Sequence, residues 1–214
     1  ALPVQPVEEL SFADGRLWLL PRDATPKRLA ELEAAAVIKL DPGLAFGSGL
    51  HPTTQLCLDY MARMADLPGA RVLDFGCGSG VLALGALLLG AVAADGVDHD
   101  PQALLATRDN AAYNGVASGM TVFMPGELPS QSRYQVVVAN ILANPLIELA
   151  GELSERLLPG GTLILAGLLA QQAEAVQKAY PTIKFDPPAS LNDGAPDSER
   201  PAESWVRLQG IKVG

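Results

Sequence analysis

Asp74-Phe75-Gly76-Cys77-Gly78-Ser79-Gly80 directly follows a predicted strand, Arg71–Phe75, and opens a predicted helix, Val81–Leu89. Three alternating glycines allow a backbone to approach a ligand closely, and the helix N-terminus offers free N–H groups and the positive end of its dipole. A tight strand-to-helix turn without a ligand is the alternative, and the number of glycines weighs against it. We therefore predict that residues 76–80, called the glycine loop below, bind a nucleotide-type cofactor.

Strand and helix patterns alternate along the rest of the chain. Further strands are predicted at Ala93–Val97, Thr121–Phe123, Tyr134–Ala139, Thr162–Ala166, Ile183–Phe185 and Ser204–Leu208, the last with the alternation of an edge strand. Helices are predicted from Pro52 onward and at Pro101–Asn114, Pro145–Leu158 and Leu169–Tyr180. Residues 187–201 are predicted to form a polar, proline-rich loop. This alternation is typical of an α/β domain in which helices cover both faces of a parallel sheet.

Residues 1–40 are the least regular part of the sequence. Strands are predicted at Gly15–Pro21 and Val37–Leu40, and a helix is predicted to begin after Thr25, with Pro26 in its first turn. We therefore divide the chain into an N-terminal segment with short strands, residues 1–40, and a main domain, residues 41–214.

Composition excludes several classes of protein. A chain of 214 residues with 49% hydrophobic and 18% charged residues fits one folded domain. The net charge of −9 disfavours binding to nucleic acid or to an anionic membrane. Cys57, Cys77, His51 and His99 are too few for a zinc-finger array, and we predict no metal site. No signal peptide is recognisable and four glycines interrupt the longest uncharged run, so we expect a cytoplasmic protein without a membrane span.

The spacing of the glycines narrows the choice of cofactor. A dinucleotide fingerprint, G-x-G-x-x-G, needs a third glycine at the position of Val81, which disfavours a nicotinamide-dependent oxidoreductase. A P-loop needs a Gly-Lys-Ser/Thr sequence that does not follow here. The pattern acid-x-G-x-G-x-G, from Asp74 to Gly80, resembles motif I of S-adenosylmethionine-dependent methyltransferases of the Rossmann-like class.

Asp98 ends the strand after the glycine loop, 24 residues beyond Asp74. A carboxylate at this place can accept hydrogen bonds from both hydroxyls of a ribose. Asp100 is interpreted as the residue that starts the next helix. Capping of that helix by both acids is the alternative for Asp98, and the spacing favours the ribose role.

Asn140 follows the buried strand Tyr134–Ala139 and precedes Ile141-Leu142-Ala143-Asn144-Pro145. This arrangement resembles, in a looser form, the Asn-Pro-Pro-Tyr motif of amino-group methyltransferases. An amide carbonyl here can accept a hydrogen bond from a substrate amine and aim the nitrogen lone pair at a methyl group. An Asn that only satisfies backbone groups at the strand end is the alternative. We predict that Asn140 is catalytic.

A longer set of motifs resembles one family in particular. The set comprises Leu40–Thr54, Asp74–Gly80, Asp98–Gln102, Asp109-Asn110-Ala111 and Val137–Leu142. It closely resembles the ribosomal protein methyltransferases that trimethylate lysines of large-subunit ribosomal protein L11, although Ser48 replaces the usual Thr. The resemblance implies a class I methyltransferase fold: a mostly parallel seven-stranded sheet with helices on both faces and an antiparallel edge strand. It also implies contacts to S-adenosylmethionine from Thr54, Gly76, Asp98 and Asn140, and we add Gly78 of the glycine loop to the predicted cofactor-binding residues.

The same resemblance implies a reaction and a substrate. We expect a monomer that transfers methyl groups to lysine nitrogens of L11, with α-amino nitrogens as a further target, by in-line displacement. A methyltransferase of the same fold that acts on another protein lysine or amine is one alternative, and a cofactor-binding module without catalysis is another. We expect His51 to tie down the glycine-rich stretch that precedes it.

The family that these motifs resemble has a further N-terminal domain of ferredoxin-like type, joined by a helical linker, which holds the ribosomal protein. We expect that domain to be absent from this chain, and residues 1–40 to derive from the linker. Ala1 in place of Met fits a catalytic-domain fragment or a homologue that recognises something else.

Overall fold

The computed structural model describes residues 9–40, 51–192 and 203–214, which form helices and two β-sheets. The helices are α1 (Pro26–Glu31), α2 (Pro52–Arg63), α3 (Val81–Leu88), α4 (Pro101–Tyr113), α5 (Ala143–Glu148), α6 (Ala150–Arg156) and α7 (Ala173–Lys178). The strands are β1 (Leu10–Phe12), β2 (Leu17–Pro21), β3 (Ala36–Leu40), β4 (Arg71–Phe75), β5 (Ala93–Val97), β6 (Met120–Phe123), β7 (Tyr134–Asn140), β8 (Leu157–Leu169), β9 (Ile183–Phe185), β10 (Ala189–Asn192) and β11 (Ser204–Lys212).

The larger sheet has eight strands, in the order β10-β11-β8-β7-β4-β5-β6, with β9 also paired to β11. Strands β4 to β8 pair in parallel, whereas β11 runs antiparallel to β8, β9 and β10. The predicted α/β class, with a mostly parallel sheet and antiparallel strands at one edge, is therefore confirmed.

The antiparallel edge differs from the prediction in two details. Ser204–Leu208 was predicted as an edge strand, but β11 lies inside the sheet, with β9 paired to its last residues and β10 to its first. The eighth strand, β10, falls within residues 187–201, which were predicted as a loop. The three residues of β9 cover only one end of β11, so backbone N–H and C=O groups at its other end are available for pairing with β10.

Helices cover both faces of this sheet, because neighbouring residues of each central strand point to opposite sides. Val72 and Val136 belong to one core cluster, shared with α2 and α3. Leu73 and Val137 belong to the other, shared with α5, α6 and α7. The predicted apolar run in β7 is thus buried on both faces.

The smaller sheet holds β1, β2 and β3. A turn at Ala13, Asp14 and Gly15, all with positive φ, joins β1 to its antiparallel partner β2, and β3 runs parallel to β2. Its apolar residues, including Leu17 and Ile38, share a core cluster with residues of α2 and α3. Residues 9–40 therefore pack directly on the main domain.

Two predicted helices differ in the structure. The one predicted at Leu169–Tyr180 is a 3₁₀ turn at Ala170–Gln172 followed by α7. The one predicted at Pro145–Leu158 ends earlier, because β8 begins at Leu157. The helix predicted at Pro145–Leu158 is split at Leu149 into α5 and α6, although the N–H groups of Leu149 and Leu153 still donate to carbonyls four residues earlier. Within the described ranges, no helix combines the length and the hydrophobicity that crossing a bilayer requires.

Candidate functional site

Three of the predicted site residues lie side by side at the carboxyl ends of β7, β4 and β5. Phe75 of β4 is in register with Ala139 of β7 and with Val97 of β5. Asn140, Gly76 and Asp98 each come directly after one of these residues. Ligands of open α/β sheets bind at this edge, where the loops leave the strands.

The glycine loop needs its glycines for conformation and for space. Gly76, Gly78 and Gly80 have φ values of +79°, +54° and +80°, a region that other residues rarely adopt. A Cβ at Gly76 would lie 2.3 Å from Cγ2 of Ile141, and one at Gly80 would lie 2.7 Å from Cγ2 of Thr107. The side chains of Ile141 and Thr107 therefore fill the space next to these two glycines, which leaves no room for a Cβ there.

Asp98 holds the glycine loop from the β5 side. Its Oδ2 accepts a hydrogen bond from the N–H of Gly78 at 2.9 Å, and its Oδ1 accepts one from Asp100 at 3.0 Å. Asp98 is 9% exposed, so a hydrogen-bonding ligand can still reach its carboxylate. The side chain of Asp100 accepts from Gln102 N–H and caps α4. Asp100 therefore caps α4, as predicted, whereas the ribose contact of Asp98 stays a prediction.

Helix α4 holds the other side of the glycine loop through two buried polar side chains. The hydroxyl of Thr107 donates to the carbonyl of Gly78 at 3.0 Å. The amide Nδ2 of Asn110 donates to the carbonyl of Ser79 at 2.8 Å. These two residues are three positions apart, so they lie on one face of the helix.

Asp74 lies beneath the glycine loop and is 1% exposed. Its Oδ2 accepts a hydrogen bond from the N–H of Ala83 in the first turn of α3, whereas Oδ1 has no partner among the described residues. Burial raises the pKa of Asp74 to about 7; the Ala83 N–H opposes this rise and the nearby charge of Asp98 adds to it. At neutral pH this carboxyl group is therefore only partly ionised.

Asn140 and Thr54 meet at the end of β7. The amide Nδ2 of Asn140 donates to Oγ1 of Thr54 at 3.1 Å. Thr54 lies in the first turn of α2 and is 2% exposed, whereas Asn140 is only partly buried. This contact uses the NH₂ group of the amide, so the amide oxygen can accept a hydrogen bond from a ligand.

An apolar cavity of about 350 Å³ opens beside Asn140, between the ends of β7, β8 and β11. Leu142 is 70% exposed at this place. The residues that line the cavity are Leu142, Ala143, Asn144, Pro145, Gly167, Leu169, Gln172 and Trp205. Gly167 has φ +87°, and a Cβ there would lie 2.3 Å from the carbonyl oxygen of Ile141, so the cavity wall is packed directly against the residue that follows Asn140.

His51 and Trp205 join α2 to β11 next to this cavity. His51 caps α2: its Nδ1 accepts a hydrogen bond from the N–H of Thr53 at 3.3 Å. The same Nδ1 lies 2.7 Å from the Thr53 hydroxyl. The imidazole ring meets the indole of Trp205 edge to face, with 4.6 Å between ring centroids. We predicted that His51 ties down the stretch before it. Residues 41–50, including Ser48, lie outside the described residues.

Of the remaining residues that the sequence singled out, two border the site: Sγ of Cys77 lies 3.5 Å from Oγ1 of Thr107, and Nδ1 of His99 lies 3.5 Å from Oδ1 of Asp98. Cys57 and Cys77 are free and buried, and burial raises the pKa of each thiol to about 12. His99 has a side chain that is 92% exposed. The described residues contain no cluster of three or more His, Cys, Asp or Glu that could hold a metal ion.

Three residues of the site carry no predicted role: Thr107, Asn110 and Trp205. Asn110 was noted only as part of a motif, without a role. Two polar residues three positions apart on a helix that packs on the sheet were an available signal, because such residues are buried only when they have partners. The position of Trp205 beside His51 depends on the antiparallel pairing of β11, which no local pattern reports.

Comparisons with known proteins agree with this geometry. The family model described as "Ribosomal protein L11 methyltransferase (PrmA)" matches residues 12–197. A ribosomal protein L11 methyltransferase from Xanthomonas euvesicatoria pv. vesicatoria is 48% identical over 202 residues, which cover 93% of this chain and 62% of that protein. One from Pseudomonas aeruginosa is 49% identical over 197 residues, which cover 91% of this chain and 61% of that protein. The chain thus spans about three fifths of the length of these curated relatives.

A solved structure has the same fold along nearly the whole chain. The crystal structure of ribosomal protein L11 methylase from Lactobacillus delbrueckii subsp. bulgaricus superposes with a TM-score of 0.72 and 29% sequence identity. The match covers 93% of this chain and 96% of that one. The class I methyltransferase architecture is therefore confirmed.

Proposed function

The chain belongs to the ribosomal protein L11 methyltransferase family, and from this membership we propose that it is an S-adenosylmethionine-dependent protein N-methyltransferase. Its proposed substrate is L11, methylated on lysine side chains and also on α-amino nitrogen, in the cytoplasm. The observation that supports this best is the position of Asn140 at the end of β7: Ala139 before it is in register with Phe75, which precedes the glycine loop, and Leu142 two residues after it lines the apolar cavity.

Residues at the ends of β4 and β5 fit S-adenosylmethionine. Its adenosine carries two ribose hydroxyls, and Asp98 has a lone pair left on each carboxylate oxygen beyond the two backbone bonds that it accepts. Gly76 and Gly78 have no side chain to keep a ligand from the loop backbone. When bound, this cofactor supplies a methyl group already activated by its sulfonium.

Asn140 is the proposed catalytic residue, and its task is positioning. Displacement at a methyl group requires the amine lone pair to lie in line with the bond that breaks, and such positioning can contribute roughly 7–11 kcal/mol. The oxygen of Asn140 can accept an N–H of the incoming amine and so fix the direction of the lone pair. The hydroxyl of Thr54 holds the amide in that orientation by accepting a hydrogen bond from Nδ2 of Asn140.

The apolar cavity is the proposed site of the amine-bearing side chain. A lysine has four methylene groups, which suit walls such as Leu142, Leu169 and Trp205. Removal of the ammonium group from water lowers its pKa, which favours the neutral amine that can attack. The cavity therefore contributes to reactivity as well as to recognition.

We propose that residues 41–214 form the catalytic domain and that the small β1–β3 sheet is its N-terminal extension. The apolar contacts between Ile38 and the helices of the main domain support this assignment. The protein acts as a monomer in this proposal. Regions of the longer relatives beyond the matched three fifths are proposed to add contacts to the ribosomal protein.

Incubation with methyl-labelled S-adenosylmethionine tests the function, with purified L11 in one arm and a cell lysate in the other. We expect label on lysines of L11, at a rate about 100-fold lower with an Asn140→Ala control. Label only on other lysate proteins would refute L11 as the substrate in favour of a different protein amine. Cofactor binding without transfer in either arm would refute catalysis and indicate a binding module.

A further inference from the structure

Asn110 makes two hydrogen bonds that connect distant parts of the chain. Its Nδ2 donates to the carbonyl of Ser79 in the glycine loop at 2.8 Å. Its Oδ1 accepts a hydrogen bond from Nη2 of Arg22 at 2.7 Å. Asn110 is 9% exposed, so both bonds are largely shielded from water. One buried amide thus links the glycine loop to the residue that follows β2.

Arg22 is itself held in place from several directions. Its guanidinium lies over the ring of Tyr113, 4.4 Å from the centroid. The Tyr113 hydroxyl donates to the backbone carbonyl of Arg22 at 2.8 Å. Nearby, the side chain of Asn114 bonds both the N–H and the carbonyl of Lys39, at 2.8 and 2.9 Å. The end of α4 therefore fixes the ends of β2 and β3 together.

These bonds give Arg22 an electrostatic influence on the glycine loop. A cation at Oδ1 polarises the Asn110 amide and strengthens Nδ2–H as a donor to Ser79. It also decides the orientation of the amide, because only one orientation presents the oxygen to Arg22 and the NH₂ group to the loop. Without the cation, the hydrogen bond from Asn110 to the Ser79 carbonyl is weaker, and this carbonyl is held less firmly towards α4.

We propose that Arg22 is a positioning residue of the glycine loop, acting through Asn110, so that the β1–β3 sheet governs affinity for the cofactor. The inference rests on the proposed function insofar as the ligand is S-adenosylmethionine. The contacts of Arg22 itself are independent of that assignment.

Calorimetric titration with S-adenosylhomocysteine tests this role. Arg22→Met should weaken binding about five- to tenfold. Lys39→Met is the matched control, since Lys39 also places a cation near the Tyr113 ring, at 5.0 Å, yet its side chain has no recorded bond to Asn110. It should change affinity less than about twofold. The double variant Arg22→Met/Asn110→Ala should bind no more weakly than Asn110→Ala alone. Arg22 acts on the loop only through Asn110, so its loss has no further effect once Asn110 is removed.

Two further readouts separate positioning from a general loss of stability. With Arg22→Met, KM for S-adenosylmethionine should rise while kcat at saturating cofactor stays unchanged. Amide hydrogen exchange at Gly80, whose N–H donates to the carbonyl of Cys77, should accelerate in ligand-free Arg22→Met and not in Lys39→Met. Arg22→Lys, which keeps the charge, should restore part of the affinity and also serves if Arg22→Met folds poorly.

Equal affinities of the Arg22 and Lys39 variants, or multiplicative losses in the double variant, would overturn the proposal. A wild-type chain that binds neither S-adenosylmethionine nor S-adenosylhomocysteine would instead refute the proposed function. In that case unchanged exchange at Gly80 in Arg22→Met would refute the structural coupling as well.

Discussion

At the β4–β5 end of the site, Asp98, Thr107 and Asn110 hold both N–H and carbonyl groups of the glycine loop, whereas at the β7–β8 end the cavity beside Asn140 has apolar and partly exposed walls. The first region is fixed by directional bonds to buried groups, and it has little freedom to adapt to a ligand of another shape. The second region offers mainly contact area, which tolerates variation in what it accepts. We infer that the cofactor is specified by hydrogen bonds and the substrate by shape.

The largest expected effect is on the hydrogen-bonded region. Asp98→Ala should weaken binding of S-adenosylhomocysteine by about 2–4 kcal/mol, because it removes the bond to Gly78 together with the proposed charge-assisted bonds to a ribose. Isothermal titration measures this loss. Asp100→Ala is the matched control: it removes the cap of α4 and should lower stability while leaving affinity nearly unchanged. Similar affinities for Asp98→Ala and wild type would refute the ribose assignment.

The second largest effect is expected where the two regions meet. Asn140→Ala should lower kcat by about 100-fold while the affinity for cofactor changes by less than about threefold, because the proposed role of the amide is to position the reacting amine. Thr54→Val should have a smaller effect of the same kind, and Thr54→Ser, which keeps the hydroxyl, should have almost none. Equal losses of affinity and turnover in Asn140→Ala would mean that Asn140 is only a cofactor contact.

Asp74 gives the hydrogen-bonded region a measurable dependence on pH. Its pKa of about 7 lies above the usual value of 3.8, so the folded chain keeps a proton that the unfolded chain loses. The free energy of unfolding should therefore fall as pH rises from about 4 to about 7 and level off above that. Asp74→Asn should remove this fall and stabilise the ligand-free protein at pH 8 by about 1–2 kcal/mol, since it removes a buried charge.

Urea unfolding at several pH values measures this effect. Asp66→Asn changes an exposed carboxylate and is the control. A pH dependence that is the same in Asp74→Asn and wild type would show that Asp74 does not carry the proton.

The smallest effect is expected at the apolar wall. Trp205→Ala should raise KM for L11 about fivefold, because it removes part of the cavity wall and the edge contact with His51. The affinity for cofactor should stay constant. Trp205→Phe retains an aromatic ring and should lie close to wild type. A loss of cofactor affinity in Trp205→Ala would break the division between the two regions.

The sequence predicts correctly those parts of the fold that depend on residues close together in the chain. The apolar run of β7 and the glycines between β4 and α3 depend on a few neighbouring residues, and both are found where they were expected. The family resemblance named Asn140 and Thr54 separately as cofactor contacts, and the hydrogen bond between them is seen only in the structure. Asp98 was singled out by its place at the end of the next strand, 24 residues after Asp74, and its carboxylate does lie against Gly78 of the loop.

The parts that sequence did not predict depend on partners far along the chain. Strand β10 is four residues long and mostly exposed, and it pairs because the edge of β11 is uncovered there. Asn110 serves the site through Ser79 and Arg22, which lie in different elements. A propensity or a motif cannot specify such a contact, because the three-dimensional arrangement of the elements creates it.

One single-turnover experiment tests the proposed division of the site most directly. The chain is loaded with methyl-labelled S-adenosylmethionine and mixed with excess L11, and bound and transferred label are followed in wild type and Asn140→Ala. We predict that both proteins retain the labelled cofactor and that only wild type passes label rapidly to L11 lysines. Equal transfer by both proteins, or retained cofactor with no transfer by wild type at any concentration of L11, would contradict it.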